Sequence, residues 1–259
     1  MPDMQGRSTQ ANLPEGHSDL PDNRECGSES HRGARYGKTA RRDLCGGRRA
    51  TGVPTATVPD RKEMNIYSWD VLPHVALKSV GPLSAEIIAR GITDFRAAGR
   101  YLQGLPYGRT VDRADFRAVL REGKGTCSTK HALLAALAQE QDLTVVLTLG
   151  IYDMHERNTP GVGAVLTRYG LASLPEAHCY LTYEGRRIDV TRSGAEPTEP
   201  IAQFLYEEAI VPEQIGDYKV TLHRQCMQTW VNNNAEIVRG RSFEEVWRIR
   251  EECIAALAQ

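Results

Sequence analysis

GKGTCSTKHALLAALAQE, residues 123–140, sets a cysteine between a glycine-rich corner and a run of alanines and leucines. Ala132, Leu133, Ala135, Ala136 and Leu137 leave little polar surface on one side, so residues 128–141 read as a buried helix opening just after Cys127. Thr126 and Ser128 read as corner and capping residues. A helix N-terminus presents unpaired N–H groups and about half a positive charge, and both push a thiol placed there toward thiolate. A free cysteine on its own is more often an inert buried residue. What Cys127 does therefore depends on what the rest of the chain brings to it.

Upstream of the corner the pattern is helical. Ser84 is expected to cap AEIIARGI, and Thr93 or Asp94 to cap FRAAGRYLQGL, which Pro106 stops. DRADFRAVL, residues 112–120, reads as a short amphipathic helix ended by Gly123 and Gly125. Downstream, LTVVLTLGIY from Leu143 is rich in β-branched residues and reads as a central strand. Residues 155–176 form a long connection punctuated by Pro160, Gly161 and Gly163, of the length expected for a flap over a cleft. HCYLTY and RRIDVT flank Glu184-Gly185 as a hairpin. Farther on, IAQFLYEEAI reads as helical and YKVTLHRQC as extended. SFEEVWRIREECIAALAQ reads as an amphipathic helix capped by Ser242, with Glu245 completing a capping box.

The hairpin decides what can meet Cys127. With Glu184 and Gly185 as the turn, Tyr183 faces Arg186, and alternation puts His178, Tyr180, Thr182, Arg187, Asp189 and Thr191 on one face. His178 and Asp189 then become diagonal neighbours. A three-residue loop would place them on opposite faces. Given the shared face, Asp189 can orient the imidazole of His178 while that ring takes the thiol proton of Cys127, which is the logic of a nucleophile, base and acid triad.

Composition narrows the classes. With 41% hydrophobic residues the 259-residue chain can build an ordinary core, and 32 basic against 33 acidic residues leave a net charge of -1. Such a balance gives no whole-molecule attraction to nucleic acid or to an anionic membrane. No apolar run approaches the length of a membrane span, and the first residues lack the apolar core of a secretory signal, so a cytoplasmic location is expected. Six scattered cysteines without a CxxC pair fit reduced thiols. Residues 1–63 are rich in Gly, Arg, Ser, Asp and Pro with no apolar period, and read as disordered. Within them RGARYGKTARR is either a solvated tail or a weak polyanion-binding arm. Globular composition begins at Met64, so the upstream part also reads as an over-extended start, and residues 64–259 as the domain.

The order GTCSTKHALLAALAQE, then a strand, then AHCYLTYEGRRIDVT resembles the transglutaminase-like superfamily of thiol enzymes over about residues 95–191. The resemblance implies an α+β, papain-like transglutaminase-core fold with the nucleophile helix against an antiparallel sheet. It also implies Cys127 as nucleophile, His178 as general base and Asp189 as orienting acid. One departure is Cys179-Tyr180, where many relatives carry an aromatic residue directly after the histidine. The implied activity is acyl transfer or hydrolysis at an amide of a peptide or protein, with no metal or organic cofactor. The backbone N–H of Cys127 is one expected oxyanion donor and the hydroxyl of Tyr107 the candidate for the other, while His131 is read as an orienting or packing residue. The rival readings are a non-catalytic peptide-binding or scaffold domain, an arylamine N-acetyltransferase-like enzyme, and a zinc site built from Cys127, His131 and His178. Cys179 is expected to face the core, and Cys226 and Cys253 to be structural.

Overall fold

In a computed structural model we describe residues 69–192 and 199–258. The disorder expected for residues 1–63 falls outside these residues. Within them the architecture is mixed α+β. Helices α1 (Pro82–Ala89), α2 (Phe95–Gly104), α3 (Ala118–Glu122) and α4 (Cys127–Glu140) precede strand β1 (Val146–Met154). Helix α5 (Gly163–Tyr169), strands β2 (Leu174–Tyr183), β3 (Arg186–Ile188) and β4 (Tyr206–Ile210), and helices α6 (Asp217–Asn233) and α7 (Phe243–Ala256) follow. The four strands form one antiparallel sheet in the order β3-β2-β1-β4.

Helix α4 is the axis of the domain. Leu133, Leu134 and Leu137 are fully buried and join Leu149, Ile151, Cys179, Leu181 and Ile188 of the sheet, with Phe95 and Leu102 of α2, in one apolar core. The far end of α4 reaches α1, where the Glu140 carboxylate accepts the N–H groups of Leu83 (3.0 Å) and Ser84 (2.7 Å). A residue remote in sequence thus satisfies two of the four N–H groups that a helix start leaves unpaired. A second core gathers Met154, Leu174, Met227, Val246, Ile249 and Cys253 between α5, α6, α7 and the ends of β1 and β2.

The hairpin forms in the expected register. Tyr183 pairs with Arg186, Thr182 with Arg187 and Leu181 with Ile188. Glu184 (φ 49°) and Gly185 (φ 73°) are both left-handed, the backbone that a two-residue turn between twisted strands demands. Asp94 caps α2 through its side chain to the Ala97 N–H (2.7 Å). Ser242 and Glu245 form the capping box of α7.

Other expectations are corrected. Helix α1 starts at Pro82 after Gly81, so Ser84 lies inside its first turn, where its hydroxyl accepts the Gly81 N–H (3.0 Å). Most of residues 112–120 is not helical, because the Asp112 and Asp115 carboxylates capture the N–H groups of Ala114 (2.8 Å) and Arg117 (2.9 Å) in local turns. Only α3 remains of that helix. The long connection contains α5, whose Val165 and Leu166 are buried, and β2 begins at Leu174. Residues 206–210, expected to be helical, pair with β1 as β4, since the open edge of β1 offers them a ladder. The expected extended segment YKVTLHRQC lies in α6: Leu222, Cys226, Met227 and Val231 are buried at helical spacing, which outweighs the β-branched Val220 and Thr221.

Candidate active site

The corner before α4 is tied down on both sides. Gly125 donates to the Pro106 carbonyl (3.1 Å) and accepts from Gly108 (3.2 Å), which lays Tyr107 beside the corner. A Cβ at Gly125 would press on Lys130, Thr129 and Val119, so only glycine lets the strand-like approach run this close. Thr126, the N-cap, donates its N–H to Thr129 Oγ1 (3.0 Å). Cys127 is then the first residue of α4, 8% exposed.

The three residues of the expected triad converge. His178 Nε2 donates to Asp189 Oδ2 (2.7 Å), which leaves Nδ1 for the sulfur. The His178 ring and the backbone N–H of Cys179 both favour the thiolate of Cys127. Asp189 lies just past β3, and its Oδ1 accepts the Thr191 N–H (2.8 Å), so both carboxylate oxygens are engaged. The His178 ring is flanked by Tyr152 (6.0 Å between centroids) and Tyr180 (6.2 Å).

The charges follow from this packing. Burial opposes ionisation of Cys127, but Lys219 and His178 more than offset it and bring the thiol down to about 6. Burial likewise works against an imidazolium at His178, yet Asp189 and the Cys127 thiolate raise it to about 10. Asp189 is held well below the carboxylate range by His178 despite its burial. Each charge thus favours the other, which biases the pair toward thiolate and imidazolium.

His131 does not face the sulfur. Its Nδ1 donates to the Cys127 carbonyl (2.8 Å) and its Nε2 accepts the Val190 N–H (2.8 Å), which fixes a neutral tautomer; burial lowers its pKa to about 4. The ring thus ties the first turn of α4 to the segment carrying Asp189. Both nitrogens being engaged, it has no lone pair for a zinc ion shared with Cys127 and His178. Among the described residues no group of three or more His, Cys, Asp or Glu side chains is arranged to hold a metal. Tyr107 lines the cleft beside Cys127, its ring covered by the Arg192 guanidinium at 4.7 Å. Burial, then the charges of Cys127 and Glu176, raise its pKa, so the hydroxyl stays protonated as a donor. Cys179 and Cys253 are buried free thiols, and Cys226 is buried.

Several residues at the site escaped the sequence reading. Lys130, fully buried, donates Nζ to the carbonyls of Leu105 (2.6 Å) and Thr191 (2.8 Å), clasping the segments on either side of Cys127. Lys219 of α6 donates to Ser128 Oγ (2.5 Å), which lies 3.8 Å from the Cys127 sulfur. Glu176, two residues before His178 on the same strand, holds Arg250 of α7 through two hydrogen bonds (2.6 and 2.5 Å). Period-two spacing from His178 could have singled out Glu176. Lys219 and Arg250 lie in elements whose placement no local pattern announces.

The cleft in front of the sulfur has a volume of about 320 Å³, with the N-terminus of α4 on one wall and α6 and α7 on the other. Comparison with family models, with curated proteins and with solved structures finds no match to this chain.

Proposed function

We propose that this protein is a thiol acyl-transfer enzyme of transglutaminase-like type, acting on an amide of a peptide or protein. The observation that carries the proposal is the His178–Asp189 hydrogen bond whose imidazole favours the thiolate of Cys127, a sulfur that lines a cleft at the start of α4. On this reading the sheet, with α4 against β2, is the papain-like core of the superfamily.

The Cys127 thiolate attacks the scissile carbonyl, forming a C–S bond while the carbonyl π electrons move to oxygen. The N–H of Cys127 and the hydroxyl of Tyr107, which lines the same cleft, are the donors we assign to that oxyanion. As the tetrahedral intermediate collapses, the C–N bond breaks and the His178 imidazolium gives its Nδ1 proton to the leaving amine. The resulting thioester is resolved by water or an amine, whose proton His178 accepts, so that hydrolysis and transfer use one set of groups. Asp189 stays ionised throughout and holds the ring. His131 and Lys130 position the sulfur and the acid without touching the reacting atoms. Buried free thiols suit a reducing compartment, and we place the enzyme in the cytoplasm.

The test is to trap the acyl-enzyme. The protein is incubated with a defined peptide mixture, quenched in acid and measured by intact mass, with Cys127→Ala as control. An adduct on Cys127 that hydroxylamine releases is the expected result. Binding of peptides without adduct or cleavage would instead assign a non-catalytic peptide-binding domain.

A further inference from the structure

Five cations line the cleft against two carboxylates. The carboxylates are already committed: Glu176 binds Arg250, and Glu251 binds both Arg250 (2.6 Å) and Arg109 (2.7 Å). That closed chain is neutral. Arg113, Lys219 and Arg224 remain. Lys219 spends one donor on the neutral Ser128 hydroxyl. Arg224 stacks on Trp247 at 4.9 Å and reaches out to Glu244, an exposed residue that does not line the cleft. Arg113 is exposed at the rim. The thiolate and imidazolium cancel one another, and His223 on the same wall stays neutral, its Nε2 bonded to the Pro175 carbonyl (3.0 Å). The chain as a whole carries -1, so this excess of positive charge is a local feature.

We infer that the cleft selects a substrate bearing a carboxylate beside its scissile carbonyl, held by Lys219, Arg224 and Arg113. The inference rests on the acyl-transfer reading of the same site and names its substrate class. Guanidinium forks match the planar carboxylate, and a cleft with low-dielectric walls concentrates anions. A cleft of about 320 Å³ accommodates one side chain and the adjoining peptide unit, at the small end of ligand pockets.

The experiment needs no known substrate. Alkylation of Cys127 by iodoacetate and by iodoacetamide requires the same thiolate, so the ratio of the two rates reports only how the cleft treats a carboxylate. That ratio should exceed the ratio measured on the unfolded protein, and fall as salt is raised. In Arg113→Ala/Arg224→Ala it should drop about fourfold, about twofold per cation removed near the reagent, with the iodoacetamide rate unchanged. An unchanged ratio in that double variant overturns the inference, because the two guanidinium groups would then contribute nothing to any preference.

Protection of Cys127 from iodoacetamide separates the two sources of the carboxylate. N-acetylglutamate α-amide protects if a side chain is read, and N-acetylglutamine protects if the chain terminus is; protection by neither overturns the inference. Iodide quenching of Trp247 in Cys127→Ser, taken as the difference from Cys127→Ser/Trp247→Phe, gives a readout without chemistry. Arg224→Ala should weaken iodide quenching relative to acrylamide quenching, which corrects for the ring area that the stacked guanidinium uncovers. If Cys127 reacts with neither alkylating reagent but iodide still collects at Trp247, the acyl-transfer reading fails and the anion site stands.

Discussion

Replacing His178 with alanine removes the cation that rests against the Cys127 sulfur, and the consequence can be sized. Burial opposes the thiolate; Lys219 and His178 together bring the thiol down to about 6, from an ordinary 9.0. Without the ring Lys219 and the Cys179 N–H are left to oppose burial and the thiol rises; a full return to 9.0 sets the largest effect. At pH 5 the wild-type thiolate fraction is about one tenth and that of the variant about one in ten thousand, by the titration equation. A more basic thiolate is also a better nucleophile, by a Brønsted coefficient of about 0.4–0.5 in thiol exchange, which returns about twentyfold over three pKa units. The net loss is therefore at most about fortyfold at pH 5 and about fourfold at pH 7. The assay is iodoacetamide alkylation from pH 4.5 to 9, read on the Cys127 peptide. Cys179 and Cys253, which burial pushes up to about 11 and about 12, serve as slow references in the same digest. A wild-type midpoint near that of an ordinary thiol, unmoved by the substitution, refutes the ion pair and with it the proposed chemistry.

Glu176→Gln leaves the buried Arg250 only the Glu251 carboxylate, which it shares with Arg109, and should destabilise the fold by up to about 3–5 kcal/mol at pH 7 in urea unfolding. Glu176 is brought to about 2 against an ordinary 4.5 because Arg250 outweighs its burial. Its stabilisation is thus complete above pH 4.5 and fades toward pH 2, and the gap between wild type and variant should close over that window. Lys130 has a folded value of about 8, lowered by burial from 10.5, so the unfolded chain binds more protons between those values. Wild-type stability should rise relative to Lys130→Met from pH 8 to 10.5, and a flat difference would show that the ammonium is not desolvated. Tyr107→Phe should slow acyl-enzyme formation about a hundredfold, the cost of one oxyanion donor, while the alkylation midpoint of Cys127 stays in place.

The parts of this fold that could be read from sequence are those whose signals are local. The I′-type turn at Glu184-Gly185 fixed the hairpin register by itself, and Ser242 with Glu245 marked the start of α7. The pairing of His178 with Asp189 followed from the same turn, which is why two of the three candidate triad residues could be placed together before any coordinates. Strand β4 and helix α6 were misjudged because their states are set from outside: one by an unpaired strand edge, the other by burial against β2 and α7. Ser84 was misread as the cap because the N–H groups of Leu83 and Ser84 are held by Glu140, fifty-six positions from Ser84, which no local pattern shows. Lys219 and Arg224 reach the cleft from the misjudged α6, and Arg250 from α7, whose start was legible but whose packing partner was not, so the electrostatics of the site were hidden.

The ion pair between β2 and α7 bears on how the chain can be divided. Residues 95–191 hold every motif of the proposed chemistry, yet excising them would strand the Glu176 carboxylate in an apolar wall, deprived of Arg250 and of the apolar cover that α7 gives. The motif-bearing half is therefore not an autonomous folding unit. Fusion or truncation designs must carry the last helix, and a protease nick ahead of residue 243 should silence the thiol at a distance.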